Sequence, residues 1–142
     1  MLQRASEHNA ACERFYLKGA FFKMKHTYRI KQNYEFRRLY RRGNSVATPY
    51  LVVYAMKTRR KVNRIGLTVT PKLGGAVVRN RIKRLLREAY RLNEDKICQS
   101  YDFIFVARSK MIGAKCQKVE REILRAMKQL GLLIEEQGGE NV

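Results

Sequence analysis

The chain has 142 residues, 45% of them hydrophobic, which suits one packed domain with a modest core and excludes wholesale disorder. Lys and Arg number 31 against 12 acidic residues, a formal charge of +19 that opposes compaction, so an anionic partner is expected and nucleic acid is the first candidate. No apolar run has the length of a membrane span or the form of a signal peptide, and Cys12, Cys98 and Cys116 show neither a disulfide framework nor zinc spacing, so reduced thiols in a cytoplasmic protein are expected.

Residues 1–23 have mixed polarity and no sustained pattern. They are expected to be a disordered extension or to precede the native start, with Met24 opening the regular sequence. They hold four basic and two acidic side chains, so the remainder still carries +17. A domain over 24–134 follows, and the acidic "EEQGGENV" of 135–142 reads as a polar tail that frays. Within the domain, Asn33 is expected to cap a short helix that ends near Gly43 in a left-handed C-cap, with Phe36, Leu39 and Tyr40 on one side. "GNSVAT" from Gly43 to Thr48 predicts a short strand. "YLVVYAM" from Tyr50 to Met56 predicts a second, with Tyr50, Val52 and Tyr54 in phase. "RIGLTVT" from Arg64 to Thr70 predicts a third, ended by Pro71. A long helix is expected from about Gly75 to Leu92, a strand from Tyr101 to Ala107, and an amphipathic helix from Ala114 to Leu130. That last helix turns Cys116, Val119, Ile123, Met127 and Leu130 inward and stops at Gly131.

The segment 72–91, "KLGGAVVRNRIKRLLREAYR", carries the strongest signal. Seven of its twenty residues are Lys or Arg and only Glu88 is acidic. At 100° per residue Ile82, Leu85, Leu86 and Ala89 share one side, while Asn80, Lys83, Arg84, Arg87 and Arg91 share the other, flanked by Arg79 and Arg81. One face can enter a core while the other presents guanidinium forks that match phosphate oxygens. Gly74 and Gly75 precede the first turn, whose free N–H groups favour an anion. A merely solvated basic face would carry acidic partners at i,i+4, and Glu88 is the one acid the segment offers for that.

This segment resembles the signature of the bacterial ribonuclease P protein family, centred on Arg79, Asn80 and Arg81 within "AVVRNRIKRLLRE". "RIKQNYEFRRLYRRGNSV" from Arg29 and "RIGLTVTPKLGGAV" from Arg64 are similar to the family's opening helix and its third strand with glycine turn, so the resemblance spans about residues 24–130. Pro71 and Gly75 depart from the residues the family often has, Ser or Lys and Asn. The resemblance implies an α+β fold: a single-domain α/β sandwich of order α-β-β-β-α-β-α, ribosomal protein S5 domain 2-like, with a left-handed crossover around the basic helix. It implies a subunit that binds the catalytic RNA of ribonuclease P and the 5′ leader of precursor tRNA. Lys72, Arg79, Asn80, Arg81, Lys83, Arg84, Arg87 and Arg91 are then the RNA-binding residues, and Phe36, Tyr40 and Tyr54, with Arg29 and Lys31, form a leader-binding cleft. The residues alone also allow those aromatics to be plain core.

Catalytic equipment is scarce. Asp95 and Asp102 are the only aspartates, and no Ser/His/Asp or Cys/His arrangement is evident, whereas a metal-dependent nuclease needs clustered carboxylates. No catalytic residue is assigned, no tightly bound cofactor is expected, and the holoenzyme's Mg²⁺ is assigned to the RNA, with Asn80 helping to order a metal ion at the RNA interface by resemblance only. Neither a membrane nor a small-molecule ligand is expected as partner. The alternative is a ribosomal-protein-like RNA binder or RNA chaperone without a processing role.

Overall fold

A computed structural model describes residues 27–134; the predicted extension over 1–23 and the tail over 135–142 lie outside the described residues. Strand β1 (Thr27–Arg29) leads into helix α1 (Asn33–Arg42). Strands β2 (Asn44–Ala47), β3 (Leu51–Lys57) and β4 (Asn63–Thr68) follow, then helix α2 (Ala76–Leu92), strand β5 (Tyr101–Ala107) and helix α3 (Cys116–Leu130). The predicted order of three helices and four strands is therefore present, preceded by β1. A three-residue strand at a sheet edge is too short for the alternation by which strands are read.

The strands form one mixed sheet in the order β1-β4-β5-β3-β2. β1 and β5 run parallel to β4, whereas β3 runs antiparallel to both β5 and β2. α2 thus crosses between the parallel neighbours β4 and β5. β5 is central and buried along most of its length, which explains its nearly continuous apolar sequence. Leu51, Val53 and Ala55 on β3 face a large core shared with α2 and α3, including Leu86, Tyr90, Ile123 and Met127. Tyr54 and Met56 face the opposite side, where a smaller cluster of Ile30, Leu39 and Ile104 holds α1 against the sheet. The result is an α+β sandwich with α1 on one face and α2 and α3 on the other.

Four local expectations change. Gln32, not Asn33, occupies the N-cap of α1 and makes no side-chain cap; its carbonyl accepts from the Glu35 and Phe36 N–H groups. Gly43 is extended (φ −74°, ψ 154°) rather than left-handed, and glycine is needed there for space: a Cβ would lie 2.6 Å from the Leu39 carbonyl oxygen. Tyr50 precedes β3 and packs against the α2/α3 core instead of sharing the Tyr54 face. Cys98 is a free thiol as expected, but Cys116 is disulfide-bonded. Gly131 does adopt the left-handed conformation that stops α3 (φ 74°).

A buried polar chain fixes β1 to the core. The Asn63 Nδ2 group donates to the Tyr90 hydroxyl at 3.2 Å and to the Cys98 carbonyl at 2.9 Å. The Tyr90 hydroxyl also pairs with Thr27 Oγ1 at 3.0 Å. Burial pushes the Tyr90 phenol above its ordinary range, so it stays a neutral bridge between α2 and the edge strand.

Candidate nucleic-acid interface

α2 divides as its periodicity predicts. Ile82, Leu85, Leu86 and Ala89 are buried, while Asn80, Arg81 and Arg84 are exposed. Glu88, the one acid of the segment, is buried and holds Arg91, so Arg91 is engaged within its own helix. Four predicted RNA-binding residues do converge. Asn80, Lys83, Arg84 and Arg87 of α2 line a cleft of about 250 Å³ together with Arg29 of β1. Burial, followed by the nearby charges of Arg29 and Arg84, lowers the Arg87 pKa from its ordinary value; the guanidinium is crowded by like charge and wants an anion.

The remaining predicted RNA-binding residues lie around this centre. Arg79 is half-buried, and its Nε has no hydrogen-bond partner among the described residues. Arg81 points to another side of α2, where it lines a small cavity with Val78 and Ile112. Lys72 is exposed in a single 3₁₀ turn (Pro71–Leu73) before the helix. Pro71 takes the first position of that turn, which suits its fixed φ. Gly74 has φ +147°, which only glycine tolerates well, whereas Gly75 is the N-cap with open space around it. The two departures from the family pattern therefore fit the local backbone.

The aromatic trio also converges, on the opposite face of the sheet. Tyr40 and Tyr54 meet edge to face with ring centroids 4.9 Å apart. The Tyr40 hydroxyl pairs with Thr68 Oγ1 at 2.7 Å, which fixes the ring over the sheet. Phe36 lies against Gly66, where a Cβ would come within 2.6 Å of its ring. Gly66→Ala should therefore displace Phe36 and lower stability by about 1–3 kcal/mol, read as a fall in Tm. Tyr40 is 39% exposed, and Phe36 and Tyr54 are half-buried against the small cluster. Thr68 and Gly66 were not predicted for this site; a glycine within a strand is a signal of close approach that could have revealed the second.

Arg29 requires a correction. It was expected beside the aromatics, but Thr27 and Arg29 share the side of β1 that faces α2, which puts Arg29 in the basic cleft. Lys31 is exposed in the link between β1 and α1.

Asp102 is buried on β5 and accepts both the Nε and Nη2 groups of Arg64, at 3.1 and 2.7 Å. Arg64 Nη1 reaches Glu35 on α1 at 2.9 Å. These bonds, that to Asp102 foremost, hold the Arg64 pKa above its ordinary value. Asp102 and Glu35 thus join α1 to the sheet. Among the described residues no three His, Cys, Asp or Glu side chains are placed to hold a metal ion.

The family model described as Ribonuclease P matches residues 24–131. The ribonuclease P protein component of Alkaliphilus oremlandii is 41% identical over 110 residues, covering 78% of this chain and 96% of that protein. The structure of the Staphylococcus aureus RNase P protein superposes with a TM-score of 0.69 at 33% identity, over 75% of this chain and 98% of that one. A mutant of the same S. aureus protein, described as having defective mRNA degradation activity, gives a TM-score of 0.68 at 34% identity, covering 74% and 89%.

Proposed function

Since this chain belongs to the ribonuclease P protein family, and is an RNA-binding component of that tRNA-processing endoribonuclease, we propose that α2 docks the RNA subunit while the α1 groove holds the 5′ leader of precursor tRNA. The observation that carries this is the cleft of Arg29, Asn80, Lys83, Arg84 and Arg87, whose nearby acid, Glu88, is turned inward onto Arg91. RNA phosphates entering the cleft relieve its self-repulsion and give Arg87 a partner. Arg79, whose buried Nε has no hydrogen-bond partner among the described residues, gains an acceptor in the same step. Lys72 and Arg81 extend the contact on either side. Arg91 acts mainly through its bond to Glu88.

On the other face Phe36, Tyr40 and Tyr54 offer ring surfaces to unpaired bases, a sequence-tolerant way to hold a single strand. Lys31, exposed in the link before α1, would meet its backbone. The chemistry belongs to the RNA subunit, together with the Mg²⁺ the holoenzyme requires. Among the described residues the donor set does not fit a Mg²⁺ site, because Asp102 is bound by Arg64, and Asn80 stands among four cations. Asn80 can help order a metal ion only after RNA phosphates have reversed the local charge. The described residues bring together no carboxylate cluster for the mRNA degradation named for the S. aureus protein. The assembly works in the cytoplasm without a membrane or small-molecule partner; among the described residues no helix is long and apolar enough to cross a membrane.

Binding to a ribonuclease P RNA across a salt series tests the docking. Arg84→Ala and Arg87→Ala should weaken it, and each lost phosphate contact should reduce the slope of log K against log salt by about 0.7–0.9. An unchanged slope in the double variant, with its Tm preserved, would mean that the face is only solvated.

A further inference from the structure

A second basic surface lies on the same face of the sheet as α2, over its other half. Residues 108–128 hold seven Lys and Arg, as many as 72–91. Their two acids, Glu120 and Glu122, are buried. Glu120 accepts from Asn93 Nδ2 at 2.9 Å. Glu122 is shared by Lys118 at 3.5 Å and Arg125 at 3.9 Å, one negative charge between two positive. The outward arc of α3 therefore presents Lys118, Arg121, Arg125 and Lys128 with no exposed carboxylate among them. At its N-terminal end the Lys110 and Lys118 ammonium groups lie 5.9 and 5.4 Å from the centroid of a single ring, Tyr50. Arg108, which donates to the Thr48 carbonyl at 3.1 Å, adds a further cation at this corner.

The two surfaces are distinct. The α2 cleft includes Arg29 on β1, one edge of the sheet, whereas α3 packs on β3 and β2, the other edge. Both lie opposite the α1 groove. A polyanion on the α2 side can continue onto α3 without crossing the sheet, while a strand in the α1 groove lies on the wrong side to reach it.

We propose that the outer face of α3, with Tyr50 and Lys110 at its end, is a second backbone-binding surface for the same catalytic RNA, which spans both helices. Phosphates replace the Tyr50 ring as the nearest negative potential for Lys110 and Lys118. This rests on the assignment of α2 to the RNA subunit.

The test uses the full chain carrying Lys110→Gln, Arg121→Gln and Lys128→Gln, three exposed residues outside the Glu122 ion pairs. Binding to ribonuclease P RNA is measured across a salt series beside Arg84→Ala, with circular dichroism and Tm as folding controls and Arg121→Gln alone as a milder variant. The triple variant should lower the log–log slope by about two units, and Arg121→Gln by about 0.7–0.9. Losses from α2 and α3 should add. If Arg84→Ala lowers the slope but neither α3 variant does, the α3 surface is solvated and this inference is wrong, while the α2 docking stands. If none lowers it, both fail. If the α3 variants leave RNA-subunit binding intact but weaken capture of precursor tRNA by the holoenzyme, the choice of partner is wrong.

Discussion

Replacing Tyr40 with alanine should cost precursor tRNA about 1–3 kcal/mol of affinity for the reconstituted enzyme, the loss of one base stack, and leave mature tRNA almost unaffected. That is about a 5- to 150-fold rise in Kd. Tyr40 is the cleanest of the three aromatics because it is 39% exposed and touches the sheet through the Tyr54 ring and the Thr68 hydroxyl. Phe36 and Tyr54 pack partly into the cluster of Ile30, Leu39 and Ile104, so their truncation should weaken leader binding and also lower Tm. If the trio were only core, each alanine would cost about 3–5 kcal/mol of stability and both substrates would suffer equally. Affinities for leader-bearing and leaderless tRNA, measured with the Tm of each variant, separate the two. Equal losses together with a collapsed Tm would show that the groove does not bind the leader.

The basic helix was legible in the sequence because two independent patterns coincide in it. The apolar stripe from Ile82 to Ala89 fixes which face is buried, and the cations then have only the other face to occupy. The central strand Tyr101–Ala107 was legible from its nearly continuous apolar run. What was not legible depends on pairing across distance. β1 is three residues long, and its place beside β4 is set by the Thr27–Tyr90–Asn63 chain, whose members are up to 63 residues apart. Without β1 in the sheet, alternation along "TYRI" could not say which face Arg29 would join, and it joined α2 rather than the aromatics. Tyr50 failed for a related reason. Strand phase holds only inside a strand, and the turn at Thr48 to Tyr50, organised by Thr48 Oγ1, rotates the ring away. Gly43 shows the limit of composition: glycine after a helix suggests a left-handed cap, but here it is required by the nearness of the Leu39 and Ala55 carbonyls.

Rigorously RNA-free protein should leave precursor tRNA uncut, whereas the same protein with a ribonuclease P RNA should remove the leader at low Mg²⁺. Hydrolysis of a phosphodiester by a protein alone needs a metal held by several carboxylates or a comparable set of general acid and base. Four of the described acids are already engaged: Asp102 by Arg64, Glu35 by Arg64, Glu88 by Arg91 and Glu122 by Lys118 and Arg125. Withdrawing Asp102 to bind Mg²⁺ would leave the largely buried Arg64 guanidinium without its main partner, a loss of several kcal/mol in such surroundings. The basic cleft repels a divalent cation until RNA phosphates fill it. The proposed contribution of the protein is electrostatic: by covering phosphates with Lys and Arg it would lower the Mg²⁺ needed to bring two polyanions together, so the benefit should shrink as Mg²⁺ or monovalent salt rises. Leader release is followed on a gel with RNA alone, protein alone and the two combined, across a Mg²⁺ series, and with an mRNA fragment as a second substrate for the protein alone. Cleavage of either substrate by nuclease-treated, RNA-free protein would show that this chain builds an active site from groups now held in ion pairs.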